Sequence, residues 1–144
     1  MQQQRAAFAL QGVEKAKNEL DEKQCKEYKS HVSALPFMIH ANGLGQAMAF
    51  YKSKCATDSK GNKKLDYVLL YQLLSDWLSQ DDQPFAGMEL LEGITQTDMH
   101  AYITAQAEAM VFMSWVKKFA TAFMQDDSST EENRQDDTST EENK

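Results

Sequence analysis

LPFMIHANGLGQAMAFYKSK, residues 35–54, decides the fold. It forms the larger part of an interval, from Ser30 to Tyr51, that holds no Asp, Glu, Lys or Arg in a chain that is 26% charged overall. The stretch reads as two helical pieces with a hinge. Pro36 suits a first helical turn, where its missing N–H removes nothing needed, so an earlier helix should end near it. Asn42-Gly43 tolerates positive φ and lets a helix stop and turn sharply. Leu44, Ala47, Met48, Phe50 and Tyr51 then resume a helical face before Lys52 and Lys54 leave the apolar region.

Working outward, residues 3–23 read as a helix with Ala6, Leu10, Val13, Ala16 and Leu20 at helical spacing and a mixed-charge solvated face. A second helix follows or continues through Cys25, Tyr28, Val32 and Leu35. Residues 56–63, ATDSKGNK, are a loop by composition. Residues 64–78 form an amphipathic helix presenting Leu65, Val68, Leu69, Gln72, Leu73 and Trp77 on or near one side. Another loop spans 79–87, and Met88, Leu91 and Ile94 suggest a short helix. Asp98 is placed to N-cap a long helix reaching Phe123 or Met124, about 38 Å at 1.5 Å per residue. Its stripe is read as Met99, Tyr102, Ile103, Ala109, Met110, Met113, Val116, Ala120 and Phe123. Strand signals are nearly absent. The expectation is an all-α fold, a compact multi-helix bundle of five to seven helices over residues 1–124.

Residues 125–144 are two copies of one decapeptide, QDDSSTEENR and QDDTSTEENK. A polar, acidic segment without aromatics buries too little apolar surface to offset its ordering entropy, which predicts a disordered C-terminal tail. The tail holds eight acids against Arg134 and Lys144. It therefore carries −6 of the total −7 and leaves residues 1–124 near neutrality at −1. Two readings stand for it: a solubilising tail, or a polyanion that screens a basic surface. An acidic total consequently does not exclude a nucleic-acid partner.

Cys25 and Cys55 form neither a CxxC nor a disulfide framework, as in a reducing cytosol, and are read as small buried hydrophobes. No secretory signal is legible in the polar start, and Pro36, His40, Asn42, Gly43 and Gly45 make residues 30–51 a poor membrane span. The expected setting is cytoplasmic. Phosphate-binding loops, dinucleotide glycine motifs, nucleophile elbows, HExxH and the Glu-x-x-His of di-iron bundles are all missing. Glu27 and His31 stand one helical turn apart, the only pairing that hints at catalysis or metal. The expectation is no catalytic residue, no metal site and no cofactor.

Binding has more support. Lys52, Lys54, Lys60, Lys63 and Lys64 face only Asp58 across residues 52–64, a local +4. Lys117 and Lys118 sit between Trp115 and Phe119. Lysines among small polar residues suit a phosphate backbone, with affinity falling as salt rises. The plainer alternative is a solvated loop and a helix end complementing its dipole. Trp77, Trp115 and Tyr102 have rings able to stack on bases, yet aromatics at helical spacing belong first to a core.

Several blocks in register carry a family resemblance: Tyr28, LPFMIHANGL at 35–44, AFYKSK at 49–54, the Leu73, Leu74, Trp77, Leu78 ending of the middle helix, Tyr102, and EAMVFMSWVKKFATAF at 108–123. The chain resembles the small-subunit family of Cmr complexes, the type III-B CRISPR RNA-guided effectors, over roughly residues 5–124. The resemblance implies a non-catalytic helical subunit that stacks in copies into the minor filament, beside the backbone and large subunits. It implies a basic surface helping to hold the duplex of guide (CRISPR) RNA and target RNA in antiviral defence. By position, Asn42 and Gly43 match the family's turn, Lys54 the basic residue closing the next helix, and Lys118 the basic position after the tryptophan. His40-Ala41 stands where members often carry a basic residue. The RNA-binding set is thus Lys52, Lys54, Lys60, Lys63, Lys64, Lys117, Lys118, His40 and Asn42. The duplicated tail lies outside the family pattern. The alternative is a helical adaptor that binds a protein through an apolar groove and never meets RNA.

Overall fold

A computed structural model describes residues 2–56 and 64–124. Among the described residues there are five helices and no strand: α1 (Gln2–Glu19), α2 (Glu22–Lys54), α3 (Leu65–Leu78), α4 (Leu90–Gln96) and α5 (Met99–Phe123). This is the expected all-α bundle. The acidic tail, and residues 57–63 with Lys60 and Lys63, lie outside the described residues.

α1 buries Ala9, Val13 and Ala16 on one side and ends earlier than the periodicity suggests, because a stronger start signal follows it. Asp21 N-caps α2 in a reciprocal box: the Gln24 N–H donates to Asp21 Oδ1 at 2.8 Å, and the Asp21 N–H donates to Gln24 Oε1 at 3.2 Å. α2 then runs through Pro36 rather than stopping there. The proline forfeits one backbone bond to Val32, and the buried ridge of Tyr28, Val32, Leu35 and Ile39 outweighs that loss.

The break comes at Gly43, with φ 86° and ψ 158°, a backbone region essentially restricted to glycine. The second limb of α2 (44–54) folds back on the first (22–42), so that the Tyr51 hydroxyl donates to the His31 carbonyl at 3.2 Å. A helix start inside the protein leaves N–H groups without partners. α5 supplies them: Leu44 N–H donates to Gln106 Oε1 and Gly45 N–H to Tyr102 Oη, both at 2.9 Å. The hinge is thereby clamped.

α1, α3 and α5 meet around Trp77, stacked on Phe112 with centroids 5.1 Å apart, while Phe8 tilts against both rings. At the rim of this cluster Arg5 forks onto Glu108 at 2.6 and 2.8 Å, and the Trp77 indole donates to the same carboxylate at 3.1 Å. Trp77 is therefore core, as expected. α3 is more enclosed than a one-faced helix. Leu70, Tyr71, Leu74 and Leu78 are buried beside Leu73 and Trp77, Gln72 is exposed, and Leu65, Val68 and Leu69 are half-buried.

α5 starts where Asp98 accepts from the Ala101 N–H at 2.8 Å. Its inward ridge is Ala105, Ala109, Phe112, Met113, Val116 and Ala120. Met99, Ile103 and Phe123, read as part of the inward stripe, are 71%, 59% and 42% exposed. α5 is apolar over most of its circumference, so its period alone does not choose a face. No described helix is long and apolar enough to cross a membrane.

Candidate nucleic-acid interface

The last turn of α2 carries Lys52 and Lys54, where cations oppose the partial negative charge of unpaired carbonyls. The Lys52 ammonium lies 5.0 Å from the centroid of Tyr71, and that of Lys54 lies 5.3 Å from the centroid of Phe50. Lys64 occupies the N-cap position of α3 and is exposed, with no side-chain cap bond. Lys60 and Lys63 belong to the connection outside the described residues.

A polar and aromatic cluster fixes this corner. His31 Nε2 sits 2.9 Å from Asp66 Oδ2, and the His31 ring stacks on Tyr67 at 4.0 Å. Tyr51 packs on both rings. Asp66, 2% exposed, thus has its partner on the first limb of α2. His31 looks to Asp66, not to Glu27, which is exposed. Burial, helped by the neighbouring Tyr67, pushes the Tyr51 phenol up to about 12. Both limbs of α2 and the start of α3 are tied at one point, which holds Lys52, Lys54 and Lys64 on a rigid base.

One anion tempers this corner. Burial works against the charge of Glu89, but the Tyr71 hydroxyl, the N–H groups of Leu91 and Glu92 and the nearby Lys52 together hold its carboxyl below the usual range. Lys54 and Lys64 form no ion pair among the described residues.

Lys117 and Lys118 lie elsewhere, on the last turns of α5. With Pro36, Met110, Ser114 and Thr121 they line an open groove of about 590 Å³ between α5 and the first limb of α2. The Lys118 ammonium is 5.4 Å from the centroid of Trp115. Trp115, Phe119 and Phe123 form a ladder of rings at 5.8 and 6.5 Å. Trp115 is only half-buried, its indole donating to Gln2 Oε1 at 3.2 Å, so the core assignment fits it in part. Tyr102 is engaged at the hinge.

The fold thus gathers the five described lysines of the expected RNA-binding set into two groups, one where α2 meets α3 and one on the α5 flank. His40 and Asn42 are exposed on the turn just before Gly43 and join neither set through a hydrogen bond, ion pair or ring contact among the described residues. The sequence reading missed the part played by Pro36, whose ring forms one wall of the Lys117–Lys118 groove. The i, i+4, i+8 spacing of Trp115, Phe119 and Phe123 was the available signal for the ring ladder.

Chemically these are fixed cations on helix ends and ring faces, suited to holding anions by charge. A second open groove is lined by Arg5, Glu108, His100, Asp82, Gln83 and Val111. Its guanidinium is committed, because the hydrogen bond to Glu108 raises the Arg5 pKa further. Among the described residues no three His, Cys, Asp or Glu side chains converge as a metal site would require.

A protein-family model described as "CRISPR-associated protein (Cas_Cmr5)" matches residues 1–123. The match takes in all five helices and both described lysine sets, and stops short of the duplicated acidic segment.

Proposed function

Because the chain belongs to the Cas_Cmr5 family, the small subunits of the Cmr complex in type III-B CRISPR systems, we propose that it is a non-catalytic subunit that helps hold the guide–target RNA duplex. The observation that carries this reading is the family match across the whole helical body. Beside it stand Lys52, Lys54 and Lys64 at one corner and Lys117 and Lys118 on α5, with His40 and Asn42 exposed at the turn. Residues 1–124 act as the helical domain and 125–144 as a separate tail. Lysines placed this way contact phosphates and read no bases; sequence is left to guide pairing, by analogy with RNA-guided DNA recognition.

Copies of the subunit stack into the minor filament, next to the backbone and large subunits. An exposed apolar row on α5 supports a protein-facing role: Met99, Ile103 and Val111, with Ala107 exposed between them, recur at multiples of four. That row also suits a helical adaptor, so the test must separate RNA contact from protein contact.

The test is target-RNA affinity against salt for the complex assembled with guide RNA, comparing wild-type subunit with Lys52→Ala/Lys54→Ala/Lys64→Ala. If the three lysines contact phosphates, affinity falls and the slope of log K on log salt becomes shallower by about 2, at about 0.7 per contact for a single strand. An unchanged slope in a fully assembled complex sinks the RNA reading and favours the adaptor.

A further inference from the structure

We propose that the duplicated acidic segment, residues 125–144, docks in cis onto the Pro36–Lys117–Lys118 groove and occupies it in competition with nucleic acid. The competition rests on the RNA reading above; the docking does not.

The argument begins with where the chain leaves the bundle. α5 ends at Phe123 and is capped by Met124, whose N–H bonds to Ala120 O. Residue 125 opens the first decapeptide, so its acids are delivered beside the last turns of α5. Lys117 lies seven residues before Met124, about 10 Å along the helix axis. An extended chain covers about 3.3–3.6 Å per residue, so three or four residues suffice to double back that far. Asp127, Glu131 and Glu132 therefore fall within reach of the groove.

The groove also presents cations that are open to an anion. Its two lysines are exposed, and neither pairs with a carboxylate among the described residues. From Ala109 to Phe123 they are the only charged residues of α5. The first limb of α2 carries a further cation outside the groove's own lining. Leu44 and Gly45 meet Gln106 and Tyr102, while Pro36 faces residues 110–121, so this limb runs antiparallel to α5. Lys29, one heptad before Pro36 and on the same helical face, consequently lies towards the end of α5 from which the tail departs.

The segment is −6 and the groove is cationic. The repeat itself has a use under this arrangement. Two equivalent acidic copies on one tether raise the local concentration of the occupant without requiring either copy to bind tightly. A docked polyanion is displaced by a long RNA held in an assembled complex but resists short, stray nucleic acid.

The experiment uses the full chain, isotopically labelled, against a variant whose eight tail acids become amides (Asp→Asn, Glu→Gln). Docking predicts that backbone amide shifts at Ser114, Lys117, Lys118, Thr121 and Lys29 differ between the two proteins at low salt. The difference should vanish near about 0.5 M salt, where the screening length is only a few ångström. Lys117→Ala/Lys118→Ala with the natural tail should reproduce the variant's shifts elsewhere in the groove. Coincident groove shifts in the two proteins overturn the proposal, as do tail-dependent shifts centred on Lys52, Lys54 and Lys64. Single-stranded RNA should bind the amide variant about tenfold tighter, as for removal of a tethered competitor at about millimolar effective concentration with a dissociation constant near 0.1 mM. Groove shifts without RNA binding by either free protein keep the docking and overturn the competition, while the RNA reading itself is decided in the assembled complex.

Discussion

Tyr28 is fully buried on α2, and its hydroxyl meets no hydrogen-bond partner among the described residues. A phenol sealed in this way carries the desolvation cost of its hydroxyl without a return. Burial pushes its pKa well above the usual value of about 10 for an unfolded chain. With the folded value raised, stability is full below pH 10 and declines as pH rises from there towards the folded value, because the unfolded chain loses its proton first. Tyr51 adds to the same alkaline decline, over the interval from about 10 to about 12. Tyr28→Phe removes one ionisable group and the unpaired hydroxyl while keeping the ring. Urea unfolding should show a gain of about 1 kcal/mol at pH 7. The gain should widen between pH 10 and 12. A loss of stability at pH 7 would mean that the hydroxyl has a partner, such as a buried water.

At the scale of elements, the hinge governs the arrangement. Gly43→Ala would place a Cβ where the backbone favours only glycine, 3.2 Å from the Tyr102 hydroxyl that receives the Gly45 N–H. The expected cost is about 1–3 kcal/mol, read as a lower thermal midpoint, with faster hydrogen exchange at Leu44 and Gly45. Unchanged exchange there would show that the clamp from α5 does not depend on the turn. The turn was visible in the residues themselves, since Asn42-Gly43 is a local conformational signal, and Asp98 was visible as a cap for the same reason. Pro36 misled, because whether a helix tolerates a proline depends on what its other residues bury, and those partners come from distant segments. Met99 and Ile103 misled differently. α5 is apolar nearly all round, so its inward face is chosen by α1 and α2 and not by its own period.

For the whole molecule, charge content and chain order located the lysines, but only the packing divides them into two separate sets and sets Pro36 opposite Lys117 and Lys118. The same packing leaves Met99, Ile103 and Val111 outside, and their purpose follows from what they do not contribute. Ile103 is 59% exposed, so changing it to Asp removes little from the core and should move stability by no more than about 0.5 kcal/mol. If α5 faces a neighbouring subunit, that substitution instead deletes a buried apolar side chain and strands a charge in the contact. A side chain of this size contributes about 1.5–3 kcal/mol when buried, so the subunit's incorporation should weaken about tenfold or more. Co-purification of Ile103→Asp with tagged backbone subunits, at several subunit concentrations, measures the effect, with the thermal midpoint of the free chain as the control. A variant that folds normally and assembles as well as wild type would move the protein contacts away from this row, leaving exposed Phe37 on α2 as the apolar surface to test next.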